Sequence, residues 1–175
     1  MRIKKIISVF IVSFFVASMA SAAIKIEGKF KNWESHYTED GKDKVCFAVS
    51  MPIKKEPSNL NRAEARIFVT FRTKTNIADE VSITGGYPYK KDSQVSVNVD
   101  NASFKFDVSD NFAWLANNKD EVKMIQQMKK KNELKATGLS ARGNKTYDTY
   151  SLLGFTDAYN SAKNKKNSFS VLGWS

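Results

Sequence analysis

Strict alternation of apolar and polar side chains is the feature that most limits how this chain folds. Val95, Val97 and Val99 alternate with Ser96, Asn98 and Asp100, and beyond Asn101, Phe104 and Phe106 alternate with Lys105 and Asp107. Successive side chains of a strand point to opposite faces. Each run therefore has one apolar and one wet face, the pattern of an antiparallel sheet packed on one side. Asp100-Asn101 is the predicted turn. Ile24, Ile26 and Gly28 alternate in the same way with Lys25, Glu27 and Lys29. Further strands are predicted over residues 33–38 and 45–51, joined by a turn at Asp40-Gly41, where glycine accepts positive φ. Residues 66–73 and 80–84 are rich in β-branched and aromatic side chains and read as strands. Residues 52–61 are polar, hold two prolines and predict a surface loop. Gly85-Gly86-Tyr87-Pro88-Tyr89 predicts a bend, because paired glycines allow unusual dihedrals and Pro88 has no ladder donor. Residues 133–142 and 146–153 are the last strands, turning at Gly143-Asn144.

Two segments break the period. Over residues 119–131, Val122, Ile125 and Met128 fall at helical spacing with Met124 beside them. Asn118 is the expected cap, with Glu121 three residues later, and the lysine run 129–131 closes the helix. So narrow a methionine stripe reads as core packing. Phe155, Ala158, Tyr159 and Ala162 form a second short amphipathic helix. The expected fold is mainly β: an antiparallel β-sandwich or partly closed barrel with one or two short helices. Residues 23–166 form a single domain in this reading, and 167–175 a tail whose Phe169, Val171 and Trp174 either dock on the sheet or stay loose.

The first 22 residues read as a secretory signal peptide. Arg2, Lys4 and Lys5 precede a short apolar run, and Ala20-Ser21-Ala22 supplies the small residues of a cleavage site. The run is shorter than the ~20 residues that span a bilayer, and no later stretch is apolar enough to do so. The expected location is the periplasm or outer envelope. The chain has 28 Lys and Arg against 18 Asp and Glu, and it stays basic without the three leader charges. In that compartment an anionic partner is lipid headgroup, lipopolysaccharide or sugar acid, not nucleic acid. The charges are mostly lysines in small groups, which reads as a solvated surface. Cys46 is the single cysteine, so no intramolecular disulfide forms. It reads as a buried inert thiol, with an intermolecular disulfide as the alternative.

The chain carries few motifs for chemistry. His36 is the one histidine, and a metal site needs several convergent ligands. No H-E-x-x-H or Gly-rich phosphate loop occurs. Gly138-Leu139-Ser140-Ala141-Arg142 has arginine where a nucleophile elbow needs glycine, and it sits in a hairpin arm. The expectation is a non-enzymatic protein without cofactor or metal. Two charges stand out. With the turn at Gly143-Asn144, Arg142 pairs with Lys145 and Asp148 lies opposite Leu139. Asp148 then shares the apolar face with Tyr150 and Leu152, where an unpaired carboxylate is costly. Arg142 and Asp148 are read as a structural brace or a ligand-binding pair. Tyr87, Tyr89 and Trp114 are the candidate binding surface.

Several blocks of the chain resemble the invasion-associated locus B family of alphaproteobacterial envelope proteins. They are CFAVS with Pro52, GYPYKKDS from Gly86, VSVNVDNASFKF, Ala113-Trp114, Met128 with its lysines, and GLSARGNKTYDTYSLLGFTDA from Gly138 to Ala158. The resemblance implies an exported envelope protein and carries over no catalytic residue. The expected function is binding of a protein or envelope partner. The alternative is binding of a small ligand or anionic glycolipid, in a pocket beside Tyr87, Tyr89 or Trp114.

Overall fold

The computed structural model describes residues 23–40 and 43–168. The predicted strands form as β1 (Lys25–Phe30), β2 (Trp33–Asp40), β3 (Asp43–Ser50), β5 (Arg66–Arg72), β6 (Glu80–Thr84), β7 (Gln94–Val99), β8 (Ala102–Ser109), β10 (Glu133–Leu139) and β11 (Lys145–Ser151). Two short strands join them, β4 (Lys54–Glu56) and β9 (Phe112–Leu115). All pairings are antiparallel, and one sheet runs β1-β2-β3-β5-β6-β9-β8-β7-β10-β11-β4. The sheet is not closed, but it coils until its ends approach. The Asn32 N–H donates to the Leu153 carbonyl (3.2 Å), and Trp33 Nε1 to the Ser151 carbonyl (2.9 Å).

The alternation is what builds the core. Val95, Val97, Val99, Phe104 and Phe106 are all buried, while Asn98, Lys105 and Asp107 are exposed. Burying each such side chain contributes about 1.5–3 kcal/mol. Asp100 takes the positive φ of 54° at the β7–β8 turn. The predicted turn at Asp40-Gly41 involves residues 41–42, outside the described residues; Asp40 and Asp43 are the last pair before it.

Helix α2 (Phe155–Asn167) covers the inner face of β1, β2, β3 and β5. Phe155, Ala158, Tyr159 and Ala162 are its buried positions, as the spacing predicts. The Phe155 ring meets Trp33 edge-on at 4.8 Å, and Tyr159 meets Phe71 at 5.4 Å. Helix α1 (Asn118–Met128) packs on β6, β7, β8 and β9. Its buried stripe is Met124, Ile125 and Met128, whereas Val122 is 39% exposed. The cap is Asn117, one residue earlier than expected: its side chain accepts from the Asp120 N–H at 3.0 Å. Glu121 instead accepts from the Val81 N–H (3.2 Å), satisfying β6 where its short neighbour β9 does not reach.

The loop expected over 52–61 contains β4, whose Lys54, Lys55 and Glu56 pair with Thr149, Asp148 and Tyr147. Three charged residues followed by proline make a short edge strand that discourages further pairing. The tail residues Phe169, Val171 and Trp174 lie outside the described residues.

Candidate functional site

The bend at Gly85 to Tyr89 lies against the tip of the β10–β11 hairpin. Gly86 has φ +77°, and a Cβ there would stand 2.0 Å from the Ala63 carbonyl oxygen. Only glycine fits both conditions. The Ala63 N–H donates back to the Gly86 carbonyl at 3.0 Å, which ties residues 62–63 to the bend. On the other side the Ala141 N–H donates to the Pro88 carbonyl (2.8 Å) and the Lys90 N–H to the Leu139 carbonyl (2.9 Å). Tyr87 and Tyr89 meet edge to face at 5.1 Å, over Gly138. The Tyr87 hydroxyl and the Thr146 hydroxyl are 2.5 Å apart.

The expected Arg142–Asp148 pair does not form. β10 and β11 are registered with Leu139 opposite Lys145 and Ala136 opposite Asp148. The turn is wider than Gly143-Asn144: the Ser140 N–H donates to the Asn144 carbonyl (2.9 Å) and the Asn144 N–H to the Ser140 hydroxyl (3.0 Å). Ala141, Arg142 and Gly143 form its tip, with Gly143 at φ +86°. A three-residue connection with a left-handed last residue is a common hairpin loop. It carries Arg142 to the exposed end of the ribbon and leaves Asp148 on the buried face.

Asp148 meets Arg62 instead. Nη1 donates to Oδ2 at 2.8 Å and Nη2 to Oδ1 at 2.5 Å, and Nη1 also reaches the Gly85 carbonyl at 2.8 Å. The two side chains are 4% and 5% exposed. The Asp148 carboxylate holds the Arg62 guanidinium above its ordinary pKa. The ring of Tyr87 lies 5.8 Å from the guanidinium carbon. Burial raises the phenols of Tyr87, Tyr89 and the fully buried Tyr150, with the Asp148 charge adding to it. The brace therefore exists, with a different arginine. No local signal singles out Arg62, which follows a polar, proline-containing segment far from Asp148 in sequence.

Between residues 60–63, the bend and the hairpin tip lies a cleft of about 460 Å³. Arg62, Tyr87, Pro88, Ser140, Arg142 and Thr146 line it, and no acidic residue does. Arg142 and Tyr87 thus share one cleft even though Arg142 and Asp148 do not pair. Tyr89 is buried and does not line it.

Trp114 lies elsewhere. It is on β9, on the sheet face turned away from α2, and it belongs to a line of rings crossing the sheet. His36 stacks on Phe47 (5.4 Å), Phe47 meets Phe68 (6.0 Å), Phe68 meets Phe112 (6.3 Å) and Phe112 meets Trp114 (5.7 Å). Phe47, Phe68 and Trp114 are half-buried and Phe112 is exposed. Two grooves of about 690 and 300 Å³ both include Phe47 and Phe68 in their walls. Ile24, Met51 and Ile53, all more than half exposed, line the larger one. His36 Nε2 lies 2.7 Å from Glu34 Oε2, and the Lys29 ammonium and then His36 hold Glu34 below the usual carboxylate range. Among the described residues no cluster of His, Cys, Asp or Glu could hold a metal ion. No described helix is long and apolar enough to cross a membrane.

A family model described as Invasion associated locus B (IalB) protein matches residues 33–163. The chain belongs to this family. The IalB match runs from Trp33 at the start of β2 into α2, so it includes Arg62, Asp148, the cleft and the line of rings. Strand β1 falls before it. The block Gly138 to Ala158 spans the hairpin end that carries the cleft, β11 and the first turn of α2. No curated protein and no solved structure matches the chain.

Proposed function

We propose that this IalB protein is exported to the cell envelope and acts there by binding a protein partner rather than by catalysis. The N-terminal pattern of basic residues, apolar run and small-residue site supports export. One observation carries the binding reading: the continuous line Phe47–Phe68–Phe112–Trp114 on the solvent side of the sheet. Single exposed apolar side chains are ordinary, but contiguous apolar patches mark interaction surfaces. Aromatic rings are the side chains that anchor protein interfaces. The grooves on either side of Phe47 and Phe68 suit an element that presents apolar side chains at alternate positions. The partner's rim would carry carboxylates, because the chain is basic and Lys31, which makes no ion pair among the described residues, borders the larger groove with Arg66.

The test is a photocrosslinking amino acid placed at Phe112 in intact cells. The expected result is one adduct of defined mass with an envelope protein. Trp114→Asp in the same chain should abolish it, and the same probe at Lys105, exposed on β8, should not give it. Adducts of equal yield from both positions, or none from Phe112, refute the reading.

A further inference from the structure

We infer that the cleft between Arg62, Tyr87 and the β10–β11 tip is a second binding site, for the carboxylate or phosphate of a small sugar-like ligand. This site is separate from the line of rings, and its fate does not depend on the partner reading. Three features of the cleft support it.

Charge is the first. Arg142 makes no ion pair among the described residues, and no carboxylate lines the cleft. The nearest buried acid, Asp148, is already engaged by Arg62 through both oxygens. The cleft is therefore left with one uncompensated guanidinium, and a guanidinium presents a planar fork that matches carboxylate and phosphate.

Polar groups are the second. Three of the donor hydrogens of Arg62 are committed to Asp148 and Gly85, out of the five that a guanidinium carries. Asn61 and Asn144 add amides to the walls, and Ser140 adds a hydroxyl. Together they suit the hydroxyls of a sugar. Tyr87 and Pro88 supply an apolar wall for the carbon face of a ring. A small-molecule site is of this kind: mostly apolar walls with a few placed polar groups, in a cleft of about 300–1,000 Å³.

Rigidity is the third. The bend is fixed by Gly86 against Ala63, by Tyr87 against Thr146 and by backbone bonds of Pro88 with Ala141 and of Lys90 with Leu139. The Arg62–Asp148 pair holds the floor. Preorganisation of this sort lowers the cost of binding.

Titration calorimetry with glucose 6-phosphate, glucuronate and neutral glucose tests the site, alongside flotation with vesicles of neutral lipid or neutral lipid plus a phosphorylated glycolipid. The charged sugars should bind and glucose should not, with affinity falling as salt is raised. Arg142→Gln should weaken binding about tenfold or more, and Arg142→Lys should fall between, because lysine keeps the charge but loses the fork. Amide shifts on titration should cluster at Ala141 to Asn144. Vesicle binding that Arg142→Gln abolishes, without binding of the soluble sugars, assigns the same site to a lipid headgroup. Absence of binding in both formats overturns the inference. So does binding that Arg142→Gln leaves unchanged, or glucose binding as tight as that of the charged sugars.

Discussion

Arg62 grips Asp148 across 86 positions of chain, with both terminal nitrogens on both carboxylate oxygens. The pair joins the segment before β5 to the middle of β11, and neither side chain is more than 5% exposed. Removing one partner of a buried pair leaves the other charged and unsolvated, which costs about 3–5 kcal/mol. Arg62→Ala and Asp148→Ala should each lower stability by roughly that amount, read as the urea unfolding free energy. The double variant should cost less than the two singles together. Arg142→Ala should stay within about 0.5 kcal/mol of the parent, as an exposed turn residue does. A loss from Arg142→Ala equal to that from Arg62→Ala would contradict the pairing.

How much of this was legible follows from where each signal sits. The alternation of Val95, Val97 and Val99 fixes a strand because one face is buried and the other wet, and the same holds for Phe104 and Phe106. Helix α2 announced itself by four small or aromatic residues on one stripe. Strand β4 did not, because Lys54, Lys55 and Glu56 join only through backbone bonds to β11 and bury no side chain. Asp148 was legible as a carboxylate in need of a partner, since Tyr150 and Leu152 share its face. Its partner was not, because a pairing over that distance leaves no local pattern. The wide turn moved the register, so Asp148 faces Ala136 and not Leu139. Aromatic content alone groups Trp114 with Tyr87 and Tyr89. The pairing of Ser82 with Trp114 sets it on the opposite face of the sheet from the core.

Two glycines of the site should fail for different reasons. A Cβ on Gly138 would stand 2.6 Å from the Tyr87 hydroxyl oxygen and 2.9 Å from Tyr89 Cε1. Gly138→Ala should cost about 1–3 kcal/mol by overpacking, with a change in the near-ultraviolet tyrosine signal as the Tyr87–Thr146 contact opens. Gly143 has open space around it but φ +86°. Gly143→Ala should cost about 1–2 kcal/mol from the left-handed backbone, and Gly143→Asn less, because asparagine visits that region. Thermal melts of the three variants check both. An unchanged tyrosine signal in Gly138→Ala would show that the rings yield without loss.

Glu121 ties α1 to β6, and burial raises its carboxyl above the ordinary value. The sign follows directly. A raised folded-state value favours the protonated form, so the contribution of this group is full below the unfolded value and declines as pH rises through the folded one. Glu121→Gln keeps the acceptor for the Val81 N–H and removes the charge. It should raise the urea midpoint near neutral pH and make no difference at about pH 4, where the glutamate is largely neutral in both states. A lower midpoint at neutral pH would mean that the charge strengthens the Val81 bond by more than its burial costs.

The state of Cys46 has a measurable consequence. The residue is free and fully buried on the inner face of β3, beneath α2. Burial pushes its thiol up to about 11, and the thiolate is the reactive form. Both access and ionisation therefore protect it. The native protein should not react with a thiol reagent at neutral pH over the time in which a denatured sample reacts fully. The residual rate should rise with urea in step with unfolding, because opening of the core is the required event. A disulfide-linked dimer on a non-reducing gel, or labelling in the absence of denaturant, would mean that β3 and α2 separate far more readily than the packing of Tyr159 on Phe71 implies.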